Sequence, residues 1–228
     1  MKNKSYIGTA FIILIFGILV IPKIIDRIKN NDIVKNDRLS KDAGGDTAVK
    51  SDLAILGVAP QFSLTDQDNK TISNQTYAGK VYVVEFFFST CPSICPIMNR
   101  NMKLVQESFA SNTNFGIASF TINPENDTPQ VLKKHAETIG AKGPNWHFLT
   151  GDRTKIFDIA NKGYNLYVGQ NGKVNGGFEH SGFFALIDKN GKIRCRKDEF
   201  GNPIIYYDGL KEEGVKQIKQ DITKLLAE

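Results

Sequence analysis

The 228-residue chain contains only three cysteines and three histidines. Three thiols are too few for a disulfide scaffold, and an odd number cannot all pair within one chain. Long apolar runs are scarce too. Only residues 6–21 form a stretch long and uncharged enough to approach a bilayer crossing, which excludes a multi-span membrane protein. Charge of one sign is also lacking: a net +5, thinly scattered, gives no reason to expect a nucleic-acid partner. No internal repeat or low-complexity tract is present. What remains, 41% hydrophobic and 23% charged residues, excludes a disordered chain and suits one domain of ordinary size with additional segments.

Lys2 and Lys4 precede Tyr6–Ile21, which reads YIGTAFIILIFGILVI. A basic start followed by an apolar stretch has the plan of a secretion signal. No small-x-small cleavage site or lipoprotein cysteine follows it, so residues 1–25 are expected to form an uncleaved signal anchor and single transmembrane helix. Lys23, Arg27 and Lys29 weaken the positive-inside signal. A short basic N-terminus ahead of a long domain nevertheless predicts a single-pass protein of the bacterial cytoplasmic membrane, its C-terminal domain on the periplasmic side. Residues 26–52 are polar, carry Gly44-Gly45 and have no aromatics; they are expected to be a flexible tether. Residues 53–228 are the expected folded domain.

Within that domain, Gly79-Lys80 introduces VYVVEFFF (Val81–Phe88), a β-branched and aromatic run interrupted only by Glu85. Such a run predicts a strand covered on both faces. A helix is expected from Pro96 to about Ser111, with Ile97, Asn101, Leu104, Val105 and Ser108 along one face. Phe115–Ile122 reads as a second buried strand. Asp127-Thr128-Pro129 opens a helix that Gly140 closes. His147–Leu149 is a short strand, and Asp152 caps a helix to Asn161. Asn190-Gly191 signals a hairpin between Phe183–Ile187 and Lys192–Arg196, and Leu210–Leu225 is a closing helix. This order is that of an α/β, thioredoxin-like sandwich with a mixed central β-sheet.

The chemistry gathers after the central strand, in Cys91-Pro92-Ser93-Ile94-Cys95-Pro96. Thiols on a strand-to-helix turn meet outward-pointing N–H groups and a positive dipole end, which favour thiolate. A disulfide exchanger and a metal site both need this. Three residues between the cysteines permit a disulfide and also let both sulfurs face one ion, and two thiolates select Cu(I) or Zn over hard cations. His180 lies just ahead of Phe183–Ile187. If that strand runs antiparallel to Val81–Phe88, its start lies beside the cysteine turn, so His180 is the expected third donor. His135, on the polar side of a helix, and His147, beside Trp146, are expected outside the site. Cys195 reads as a lone packed thiol, and Met98 and Met102 as core filling.

At these residues the chain resembles the Sco/SenC family of copper-binding cytochrome c oxidase assembly proteins. The resemblance runs from about Leu56 to the C-terminus. It rests on the N-terminal anchor, Gly79-Lys80, Cys91-Pro92-x-x-Cys95-Pro96 and Asn123-Pro124-x-x-Asp127-Thr128-Pro129. Leu149-Thr150-Gly151-Asp152 and His180-Ser181 ahead of Leu186-Ile187-Asp188-x-x-Gly191-Lys192 extend it. The resemblance implies copper ligation, as Cu(I) or Cu(II), by Cys91, Cys95 and His180. It also implies delivery to the CuA centre of cytochrome c oxidase subunit II or another copper oxidase, with a thiol reductant protein as a further partner. Ser93, where many members have an acid, and Asn123, where many have aspartate, depart from the pattern.

Two functions compete. A copper chaperone, not an enzyme, uses all three donors. A thiol–disulfide reductase acting on the oxidase's copper-site cysteines would use Cys91 to attack and Cys95 to resolve, and gives His180 no essential part. A peroxidase lacks its upstream proline, and a purely structural module leaves three converging donors without purpose.

Overall fold

The computed structural model describes residues 10, 14–22 and 51–228. Residues 14–22 are helical. The rest of the anchor expected over 1–25, and residues 26–50 of the expected tether, lie outside the described residues. Among the described residues no helix is long and apolar enough to cross a membrane, so the expected transmembrane helix is not established by the structure.

From Ser51 onward the chain first forms β1 (Ala54–Val58), the hairpin of β2 (Ser63–Thr65) with β3 (Thr71–Ser73), and β4 (Val81–Phe87). Helix α1 (Cys95–Ser108), β5 (Phe115–Thr121), α2 (Pro129–Ile139) and β6 (Trp146–Leu149) follow. A short α3 (Arg153–Asp158) runs into a π-helical turn at Ile159–Tyr164. The hairpin of β7 (Val168–Gln170) and β8 (Phe178–His180) leads to β9 (Phe183–Ile187) and β10 (Lys192–Lys197). After the short β11 (Pro203–Ile204) and β12 (Tyr207–Asp208), α4 (Glu212–Ala227) closes the chain.

The main sheet has the order β1-β10-β9-β4-β5-β6. β4, β5 and β6 are parallel, while β9 runs antiparallel to β4 with Tyr82 opposite Ile187 and Val84 opposite Ala185. The sheet is therefore mixed, as expected. All seven residues of β4 and all seven of β5 are buried, which is why neither shows polar alternation. Phe86 stacks on Phe120 at 5.2 Å between ring centroids. Burial of such aromatic side chains contributes on the order of 2 kcal/mol each.

Local chemistry sets the helix ends. The Thr128 hydroxyl accepts the Val131 amide, Pro129 takes the first turn of α2, and Gly140 closes it at φ 72°. Helix α1 buries Met98, Met102 and Val105. Of the face expected from Ile97, Asn101, Leu104, Val105 and Ser108, Asn101 and Val105 are buried, while Ile97, Leu104 and Ser108 are exposed, because the inward stripe runs through the methionines. The helix expected to reach Asn161 stops at Asp158 and widens into the π turn.

The domain's two ends meet. The buried Arg194 guanidinium donates to Asp188, to Glu228 and to the Ser51 hydroxyl, and the Ser51 amide donates to Glu228 Oε1 at 2.7 Å. Lys224 pairs with Asp52. Ser51 and Asp52, which composition assigned to the tether, are thus hydrogen-bonded to the domain.

One close approach generates a stability prediction. Gly214 lies in the first turn of α4, where a Cβ would stand 2.1 Å from the Asp208 carbonyl oxygen. Alanine favours helices over glycine by about 1 kcal/mol, yet here the overpacking wins. Gly214→Ala is expected to lose about 1–3 kcal/mol in urea denaturation; an unchanged or raised midpoint would refute the contact's importance.

Candidate metal centre

Strand β4 delivers the chain to Phe88-Ser89-Thr90, and Cys91 follows with its amide donating to Phe88 O at 3.2 Å. Cys95 is the first residue of α1, where Pro96 fits the opening turn. Both thiols are free and buried. On the other side, β8 ends at His180 directly before β9, whose antiparallel pairing with β4 brings the imidazole to the cysteines. His180 Nε2 lies 3.1 Å from Cys95 Sγ and 3.9 Å from Cys91 Sγ, and the three donor atoms all lie within 4.8 Å of one another. Donors held about 2.0–2.3 Å from one ion stand at most about 4.6 Å apart. The group is therefore near enough to bind a single metal ion with little movement.

The imidazole is oriented for this. Nδ1 faces the Ser181 carbonyl at 3.1 Å. That oxygen can only accept, so Nδ1 carries the proton and Nε2 turns its lone pair to the sulfurs. The hydrogen bond from Cys95 holds the Cys91 thiol well below the usual thiol range, against the opposing effect of burial. Holding that shared proton, and burial, push Cys95 up. The pair thus presents one thiolate and one thiol, and a metal displaces the Cys95 proton when both sulfurs bind.

The surroundings fix the two halves of the site. Gly176, at φ 91°, brings the β7–β8 loop against Phe88 and Pro92, where a Cβ would meet the Phe88 ring at 3.0 Å. Phe178 packs on Phe88 at 5.5 Å, and Arg153 lies over Phe178 while donating to Gln170. Beneath the cysteine turn, the buried Asp127 carboxylate accepts from the Ser89 amide at 3.0 Å and from the hydroxyls of Ser89 and Thr121. Asn126 Nδ2 donates to it as well.

A second buried acid sits in β4 itself. Glu85 is fully buried, accepts from the Ser119 hydroxyl at 2.6 Å and leaves Oε2 without a partner. Burial pushes its carboxyl up to about 7, against the opposing Ser119 hydrogen bond.

The structure brings Cys91, Cys95 and His180 together and leaves the other candidates apart. His147 pairs with the buried Asp66 at 3.0 Å. His135 is not on a polar face: it stacks on Phe87 at 5.3 Å. Met98, Met102 and Cys195 are core residues. Of the two departures, Ser93 Oγ stands 3.7 Å from Cys91 Sγ and so touches the site. The Asn123 amide donates to Thr121 Oγ1 and its carbonyl accepts the Asp127 amide. Sequence reasoning missed the β7–β8 hairpin, although Asn171-Gly172 is a turn signal, and it missed Glu85 and the anchoring role of Asp127.

A family model described as SCO1/SenC matches residues 54–213. The chain belongs to the SCO1/SenC family. It is 34% identical over 138 residues to the SCO1 protein homolog of Bacillus subtilis, spanning 58% of this chain and 69% of that protein. The structure of BsSco, described as a member of the Sco family of cytochrome c oxidase assembly proteins with a disulfide switch, superposes with a TM-score of 0.63 at 29% identity. That match covers 75% of this chain and 95% of BsSco. Copper-bound yeast Sco1 superposes with a TM-score of 0.54 at 25% identity, over 73% of this chain and 89% of that one. The thioredoxin-like α/β fold with a mixed sheet is shared with these SCO1/SenC structures.

Glu85 gives a pH prediction. The folded state holds this proton more tightly than the unfolded chain, so its stabilising contribution is complete below the ordinary glutamate value and is lost as pH rises toward about 7. Above that, burying the carboxylate costs on the order of 3 kcal/mol. Glu85→Gln is expected to unfold at a higher temperature than the parent at pH 8 and at nearly the same temperature at pH 4. Equal differences at both values would exclude a titrating Glu85.

Proposed function

We propose that this SCO1/SenC member carries copper as cargo on Cys91, Cys95 and His180 and delivers it to the CuA centre of cytochrome c oxidase subunit II or to another copper oxidase. The observation that carries the reading is the meeting of two sulfurs and one oriented imidazole within 4.8 Å. Two thiolates with an imidazole suit Cu(I), and accept Cu(II) when a further ligand joins. The copper held by yeast Sco1 and the oxidase-assembly description of BsSco support the same reading. Release proceeds by ligand exchange: incoming thiolates replace the donors one at a time, and the vacated sulfur takes back a proton. In this reading residues 1–25 anchor the protein in the bacterial cytoplasmic membrane, 26–52 tether it, and the domain works on the periplasmic side.

A second reading has an observation of its own. Both thiols are free and close together, and the relative BsSco is described with a disulfide switch. A thiol–disulfide reductase would attack with the Cys91 thiolate and resolve the mixed disulfide with Cys95. His180 separates the two readings.

Titration of the reduced protein with Cu(I) and Cu(II) provides the test. Cys91→Ser and Cys95→Ser are expected to lose tight copper binding, and His180→Ala to weaken it by more than about tenfold, 1.4 kcal/mol. Undiminished copper affinity in the histidine variant would remove His180 as a ligand, and retained disulfide exchange in that variant would favour the reductase.

A further inference from the structure

Beside the two cysteines a groove of about 450 Å³ runs between α1 and α2. This is within the size range of pockets that enclose a small ligand or a few residues of peptide. Its α1 wall is made by Pro96, Asn99, Arg100 and Lys103, which recur at i, i+3, i+4 and i+7 and so share one face along the helix. Its α2 wall includes His135 and Ile139. Cys91 and Cys95 line the same groove, so whatever lies in it abuts the sulfurs.

Two properties of the walls define an occupant. First, Arg100 is exposed and Lys103 half-buried, and among the described residues neither enters an ion pair. Two unneutralised cations on one groove wall favour an anionic partner. Second, the groove is continuous with Cys91 and Cys95. An occupant that also has to bring thiolates to those sulfurs is a stretch of polypeptide rather than a free small anion, and acidic side chains on it answer the two cations.

We infer that the groove between α1 and α2 is the docking site for an acidic peptide segment of the protein that receives the copper, with Arg100 and Lys103 setting charge preference. The inference deepens the copper-carrier reading and rests on it for the identity of the docked protein. Docking aligns the segment with the sulfurs, so the acceptor's own thiolates arrive where the ligand exchange begins.

The test separates docking from copper. Fluorescence anisotropy of labelled, cysteine-free hexapeptides, one of Glu and Asp and one of Lys, is measured with metal-free full-length protein at low salt. Saturable binding of the acidic peptide alone is expected. Its affinity should fall at least about tenfold in Arg100→Glu/Lys103→Glu, and less steeply in Arg100→Gln/Lys103→Gln, which guards against misfolding of the reversal variant. Lys216→Glu, a surface change on α4, should bind like the parent, and added salt should weaken the parent's binding. Equal binding of both peptides, no saturable binding, or the same loss in Lys216→Glu would overturn the inference. Protein that binds the acidic peptide but takes up no copper retains the groove and loses the cargo. Protein that takes up copper and ignores the peptide loses the groove alone.

Discussion

The antiparallel pairing of β9 with β4 is the constraint on which the candidate metal centre depends, because it returns the chain to the end of the central strand where the cysteines begin. Tyr82 faces Ile187 and Val84 faces Ala185, so residues preceding Phe183 must emerge beside Phe87 and Phe88. Had β9 run parallel, its start would lie by Val81, about 20 Å away along seven residues of strand. The register is held by burial on both faces of β4 and along most of β9. A slip of one residue would exchange every side chain between faces. The spacing of the three donor atoms is a by-product of core packing.

Two buried acids near the site show opposite solutions to the same desolvation problem. Asp127 is surrounded by donors from the turn, from β5 and from its own loop, and so clamps Ser89 to the neighbouring segment. Glu85, with one donor, is held toward its neutral form. The first ties the cysteine turn to the loop after β5. The second puts a titrating group in the strand that supports that turn.

Much of this was legible in the sequence because strong local signals agreed with the global fold. The apolar run at Val81–Phe88, interrupted only by Glu85, the Asp188–Gly191 hairpin and the Thr128-Pro129…Gly140 helix all took their expected forms. The donor triad was legible because strand direction alone places His180. What escaped depended on tertiary contacts. The strands β7 and β8 are three residues each, too short for periodicity to register, and are held by Gly176 and Phe178 against Phe88. The exposure of Ile97 and Leu104 follows from how α1 sits in the fold, which a helical wheel cannot supply, while Met98 and Met102 fill the core as expected. His135 looked polar because its stacking partners, Phe87 and Phe148, are distant in sequence.

The Arg194 cluster has an architectural consequence. It joins Ser51 to Glu228 beside Asp188, and the neighbouring Lys189 accepts the Gly79 amide at the entrance to β4 while its side chain reaches Leu226. Both termini of the domain therefore share the pole where the central strand starts, and the sulfurs occupy the pole where it finishes. A short linker from 228 back to 51 would close the domain into a ring. New ends could then be cut elsewhere, giving a circular permutant of the domain with its sulfurs undisturbed.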